Sequence, residues 1–250
     1  MVAVAAVVVV VALRRETTTQ SPAASERSDA ASADVVRWVE TELPAETPVR
    51  AAGDVLGGLT AAGGGDRFRP QESGAPGGLL VVRGEQPPGS AVLARFGGTA
   101  AGALALVDPN PGRPTAEQLE RRQRLCAAIL ANPGTGATGR SADVLRSAAV
   151  DARLLGLLAA LVAQLGAGVA DFPQPPGEPA DGPPARRLLI DRVGTATVGP
   201  GEAAADRLVD FLRAQLPPFA PDDVEVTDEG VLVGFRYESS PDAVVEANTP

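Results

Sequence analysis

The chain has 250 residues and a formal charge of −9; hydrophobic residues make up 44% of it and aromatics 3%. All 22 basic residues are arginine, and histidine is absent, which removes Ser-His-Asp triads, imidazole bases and most transition-metal sites. A lone cysteine, Cys126, excludes an internal disulfide or a Cys-rich metal cage, and the acidic balance argues against a general nucleic-acid binder.

Residues 2–13, VAVAAVVVVVAL, form an apolar run closed by Arg14 and Arg15. The run lacks the basic start and small-residue cleavage site of a secretory signal, and it falls well short of the ~20 residues that span a bilayer. Three readings stay open: the end of a transmembrane helix that begins upstream, a poor signal peptide, or a buried β-strand, which the valines suit. The truncated anchor is preferred, and it makes the membrane a partner through the N-terminus. Taken literally, Arg14 and Arg15 place the body of the chain in the cytoplasm; basic residues upstream would reverse that. Residues 14–33, rich in Ser, Thr, Ala, Glu and Gln, read as a flexible tether.

A first unit spans 34–107. Val35, Trp38, Val39 and Glu42 repeat at helical spacing over 34–43, which turns Trp38 inward, and Pro44 stops the helix. A strand at 47–52 leads to a helix at 54–62 that opens on Asp54 and ends at Gly63, Gly64 and Gly65. Residues 79–83 form an apolar strand of the kind buried on both faces; 91–96 and 103–107 are further strands. This alternation predicts an α/β unit, partly parallel, a Rossmann-like three-layer fragment. Arg50 and Arg83 lie near strand ends as candidate anion contacts.

A linker at 108–114 leads into a second unit at 115–238. Thr115 and Gln118 form a capping box for a helix to Ala131, with Leu119, Arg122, Leu125, Cys126, Ile129 and Leu130 along one side. Cys126 is therefore read as a buried structural thiol. Arg121, Arg122 and Arg124 read as a solvated face with i,i+4 pairs to Glu117 and Glu120 rather than as an anion site. Gly134, Gly136, Gly139, Arg140 and Ser141 satisfy G-x-G-x-x-G and approach a phosphate loop. Arginine replaces the lysine, however, and the preceding segment reads as helix broken by Asn132-Pro133, so a plain interhelical loop is preferred.

The hub of this unit is 151–168, DARLLGLLAALVAQLGAG, where Leu154, Leu158, Leu161 and Leu165 recur at helical spacing and Leu155, Leu157 and Val162 widen the stripe. A helix of about 15 residues spans ~22 Å, less than a bilayer core, so it is a core helix. A strand at 168–172, a Pro/Gly loop at 173–185, a strand at 187–193, a helix at 203–215 and a hairpin of 224–227 with 231–237 complete the unit, and the tail 239–250 is expected to be disordered. The fold class is α/β (α+β), the second unit being a helix-plus-mixed-sheet unit that ends in a β-hairpin. Asp108, Asp171 and Asp191 near strand ends read as caps, not catalytic groups, and no pattern calls for a cofactor or a metal.

WVETELPAETPVRAAGDVLGGLTAAG, GGLLVVRG and VLARFGG resemble the extracytoplasmic segment of actinobacterial glycosyltransferases that use polyprenyl-phosphate sugars. The multi-pass body that carries catalysis in those enzymes has no counterpart here, so no catalytic residue carries over. DARLLGLLAALVAQ, VADFP, VDFLRAQLPPF and VLVGFRY resemble a module of uncharacterised actinobacterial membrane-anchored envelope proteins. The resemblances imply a single-pass protein of the cell membrane with its bulk extracytoplasmic. They imply a non-catalytic binding or interaction module whose partner is an envelope protein or a lipid-linked glycan. The alternative is an accessory or remnant of envelope glycosyl transfer that binds a sugar-phosphate lipid, with Arg186 and Arg187 as anion contacts.

Overall fold

A computed structural model describes residues 22–72, 77–98 and 103–248; the apolar run 2–13 lies outside them. Among the described residues no helix is long and apolar enough to cross a membrane. The architecture is α/β with two mixed sheets, one per expected unit.

The first unit comprises α1 (Pro22–Glu42), β1 (Val49–Ala51), α2 (Gly53–Ala61), a short 3-10 turn (Gly65–Arg67), β2 (Phe68–Pro70), β3 (Leu79–Arg83), β4 (Ala91–Phe96) and β5 (Leu104–Asp108). The sheet order is β2-β1-β3-β5-β4; β1 runs parallel to β2 and β3, whereas β5 is antiparallel to β3 and β4. Register puts Val49 opposite Phe68 and Leu79, and Val81 opposite Leu106, so these side chains share one face. Both helices pack there. Val35, Trp38 and Val39 of α1 and Val55 and Leu59 of α2 enter the same core. The helices meet where Gly58 admits the Ser32 hydroxyl, which would stand 3.0 Å from a Cβ at that position.

The two helices thus cover this face of the sheet, while Ala105 and Val107 of β5 are buried on the other. Leu80 and Val82, on the other face of β3, are only half-buried. The tether reading of 14–33 is corrected over its described part, because α1 begins at Pro22. Small residues dock this stretch: Ala31 and Ser32 are buried, and the Ser32 hydroxyl donates to Ser28 O at 3.0 Å. A search for large apolar residues at helical spacing passes over such a contact.

The second unit comprises α3 (Ala116–Ala131), β6 (Thr135–Ala137), α4 (Gly139–Arg146), α5 (Ala152–Gln164), β7 (Ala167–Asp171), β8 (Arg187–Val193), β9 (Ala196–Thr197), α6 (Ala203–Arg213), β10 (Asp223–Thr227), β11 (Gly230–Gly234) and α7 (Pro241–Ala247). Its sheet runs β10-β11-β8-β7-β6, with β9 beside β8. Only β6 and β7 pair in parallel. The helix expected at the hub is α5. The Asp151 carboxylate caps it by accepting from Arg153 N at 2.9 Å, and Gly166 ends it with φ of 69°. Leu154, Leu155, Leu157, Leu158, Leu161 and Val162 are all buried in one core with Val169, Ile190, Leu208 and Val231. Each such leucine contributes about 2 kcal/mol by leaving water.

The tail expected to be disordered holds α7, and the solvated-face reading fails at Arg122. That guanidinium is buried and pairs with buried Asp242, its Nε donating to Oδ1 at 2.6 Å. Gln118 also donates to Glu246 at 2.9 Å. Arg121 and Arg124 are exposed as expected, but so is Leu119, which was placed on the core side. A partner far along the chain is invisible to a local reading of α3. Leu158→Asp is expected to unfold the second unit at a cost of about 4 kcal/mol in chemical denaturation; an unchanged transition would remove α5 from its central place. Asp242→Ala strands the Arg122 charge and is expected to cost about 3–5 kcal/mol, read in the same way.

Candidate functional site

Glu42 is the last residue of α1 and falls on its buried stripe, beyond Val35, Trp38 and Val39. A carboxylate in that position needs cations. They come from the second unit, where Arg186 and Arg187 lead into β8. The Arg186 Nη2 donates to Glu42 Oε2 at 2.7 Å, and Arg187 pairs with Oε1. Glu178, from the Pro/Gly loop before β8, pairs with the same Arg186 nitrogen. The side chains of Glu42, Glu178 and Arg186 are 4%, 3% and 2% exposed, whereas Arg187 is 24% exposed and reaches solvent. The Arg186 guanidinium also lies 5.5 Å from the centre of the Trp38 ring, a cation–π contact.

Backbone bonds close the junction on either side. Arg95 N on β4 donates to Gly177 O at 2.8 Å, and Tyr237 N donates to Glu42 O at 2.7 Å. Gly177 has φ of 83°, and a Cβ there would come within 3.0 Å of Arg95 O, so the approach requires glycine. The Tyr237 and Ser239 hydroxyls both donate to Asp108 Oδ2, at 2.7 and 2.6 Å. Burial, together with this bond and the Asp108 charge, raises the Tyr237 pKa.

Above the buried charges opens a cleft of about 440 Å³ lined by Asp34, Arg37, Trp38, Thr41, Glu42, Arg95, Phe96, Gly97, Pro176, Gly177 and Arg187. Three guanidiniums face two carboxylates there, an excess of positive charge in a chain whose total is −9. Arg37 pairs with Asp34 at 3.1 Å in an exposed and therefore weak contact. Among the described residues Arg95 pairs with no carboxylate. The neutral Gln86 amide, turned with its oxygen inward, accepts from its two terminal nitrogens at 2.9 and 3.0 Å. Behind the wall, Trp38 Nε1 and the Nε and Nη1 of Arg186 have no acceptor among the described residues.

Of the arginines singled out in the sequence, Arg187 lines this cleft and Arg186 supports its wall. Arg50 and Arg83 do not line it, and Arg83 faces Asp54 at 3.7 Å. Arg37, Arg95, Glu42 and Glu178 complete the site beyond the residues that the sequence singles out, and of these Glu42, on an apolar stripe, carries the sequence signal of a buried cation partner. The glycine motif is a strand followed at once by a helix. Thr135, Gly136 and Ala137 form β6 beside β7, Gly139 opens α4, and Thr138 alone intervenes. Gly134 N donates to Asn132 Oδ1 at 2.8 Å, Arg192 lies over Gly136, and Ser141 closes a capping box with Thr138. The interhelical-loop reading of this stretch is corrected: Thr135 pairs with Ala167 and extends the sheet. Among the described residues Arg140 reaches only the Asp171 carboxylate, at 4.0 Å. Asp108, Asp171 and Asp191 do not converge, since Asp108 ends β5 in the first sheet and the others lie on β7 and β8. Burial pushes the Cys126 thiol up to about 11 against the pull of Arg122, which makes it a poor nucleophile.

Comparison with known protein families, curated proteins and solved structures returned no match to this chain.

Burial pushes the Glu178 carboxyl above the ordinary carboxylate range against the pull of Arg186, and Glu42 adds to the rise. The folded state therefore holds this proton more tightly than the unfolded chain. The resulting stabilisation is complete below the ordinary carboxylate range and is lost as pH rises through the raised value. Glu178→Gln is expected to raise Tm at about pH 7 and to leave it near the wild-type value at about pH 4. An equal shift at both pH values would show that shape, not charge, governs this position.

Proposed function

We propose that the protein is a membrane-tethered, non-catalytic module of the cell envelope that binds an anionic ligand in the cleft between its two sheets. One observation carries the ligand reading: Arg37, Arg95 and Arg187 outnumber the acids of a solvent-open cleft in an otherwise acidic chain. Planar guanidiniums donate in pairs to phosphate and carboxylate oxygens, and such bonds are worth more than neutral ones. The tether rests on the apolar run at 2–13 and on the two envelope resemblances.

A second reading shares the chemistry: an accessory of envelope glycosyl transfer that holds the phosphate of a sugar-phosphate lipid. The apolar edges of Trp38 and Phe96 beside the arginines favour it. Titration calorimetry separates the two, with inorganic phosphate, glucose 1-phosphate and farnesyl phosphate as probes and glucose as the neutral control. The phosphates are expected to bind and glucose to give no heat. Arg95→Ala is expected to weaken binding by about tenfold or more, the loss of one charge-assisted contact. Farnesyl phosphate binding well above inorganic phosphate selects the lipid reading. Silence with every phosphate, or no effect of Arg95→Ala, refutes the cleft as an anion site. Carbonate washing of membranes is expected to leave the full-length protein in the pellet, and complete release into the supernatant counts against the tether.

A further inference from the structure

The junction contains an anion of its own. The Glu42 carboxylate lines the cleft, ends α1 where the helix dipole disfavours negative charge, and holds Arg187, the one guanidinium shared by the buried network and the open cleft. Its second oxygen accepts from Arg186 at 2.7 Å. Arg186 does not depend on Glu42 alone, because Glu178 pairs with it from the loop that leads into β8. Among the described residues Trp38 Nε1 and the Nε and Nη1 of Arg186 lack acceptors, and Glu178 Oε1, although it pairs with Arg186, lacks a hydrogen-bond donor. Glu42 thus occupies Arg187, the solvent-facing cation of the network.

We infer that Glu42 is the specificity-determining residue of the cleft, an internal carboxylate that holds Arg187 in place of the ligand and must yield it to an entering phosphate-type oxyanion. This rests on the anion-binding reading of the cleft. Ligand and Glu42 compete for one guanidinium, so the affinity measured is the difference between two pairings. A weakly basic oxyanion with a single charge displaces a carboxylate poorly. A doubly charged phosphate or a pyrophosphate is favoured, because it gains Arg187 while also engaging Arg95. The ligand class is therefore a phosphate or diphosphate group, and simple carboxylates are discriminated against.

Inorganic pyrophosphate, titrated calorimetrically into the full-length protein at low salt, tests this with Glu42→Gln and Arg187→Ala. Glu42→Gln keeps the shape and removes the competing charge. It is expected to bind pyrophosphate about tenfold tighter than the wild type, while its ligand-free Tm falls; Arg187→Ala is expected to bind about tenfold weaker. A merely structural Glu42 would lower stability and affinity together. Should Glu42→Gln fail to fold, Glu42→Asp serves instead, since a carboxylate one methylene shorter cannot span both arginines; it too is expected to tighten binding. Pyrophosphate binding by the wild type with equal or weaker binding by the Glu42 variant overturns the competition and leaves the cleft standing. Absence of binding to both wild type and variant overturns the cleft reading and this inference with it.

Discussion

A charge buried between two sheets must be neutralised where it stands, and this constraint organises the junction. Glu42, Glu178, Arg186 and Arg187 balance in number, and three of their side chains are almost wholly withdrawn from water. Removing Glu42 or Arg186 leaves its partners charged in a low-dielectric setting, which costs far more than the intact network contributes. Such an arrangement gives little stability for its own sake. What it gives is a set of paired charges that ties α1, the loop before β8 and the start of β8 together. The final segment reinforces that fit by crossing between units, with Phe235 in the second core and Tyr237 in the first.

The C-terminal segment follows the same logic. Arg122 and Asp242 form a second buried pair, which fixes α7 against α3. Tyr237 and Ser239 converge on Asp108, so the segment expected to be a loose linker begins at an anchored carboxylate. Polar contacts between distant parts of the chain thus fix the relative positions of elements whose existence the apolar pattern already dictates.

Much of the fold was legible for that reason. Helical spacing of leucines located α5, and the apolar run before Gly84 located β3 at its observed bounds. Capping chemistry placed α3, where the Thr115 and Gln118 box is formed. What escaped depended on pairings across long stretches of chain: the inclusion of β6 in a sheet and the fixing of α7 by Arg122. The site was half legible. Arg186 and Arg187 stood out as adjacent cations before an apolar strand. Arg95 and Arg37 did not, because an exposed arginine on a strand or helix reads the same whether or not another unit faces it. Glu42 carried the clearest unread signal, a carboxylate in step with Val35, Trp38 and Val39.

The composition of the cleft also bears on whether it holds a ligand or transforms one. Arginine is a fixed cation across the physiological range and takes no proton from a substrate. Asp34 and Glu42, the two carboxylates lining the cleft, are engaged by arginines, and Glu178, whose proton affinity is raised, lies behind the wall rather than in the opening. General acid–base work needs a titrating group within reach of the reacting atoms. A cleft of guanidiniums and occupied carboxylates supplies orientation and charge instead. Guanidiniums orient and neutralise oxyanions without exchanging protons with them, and the proposal of a phosphate-binding cleft rests on that chemistry.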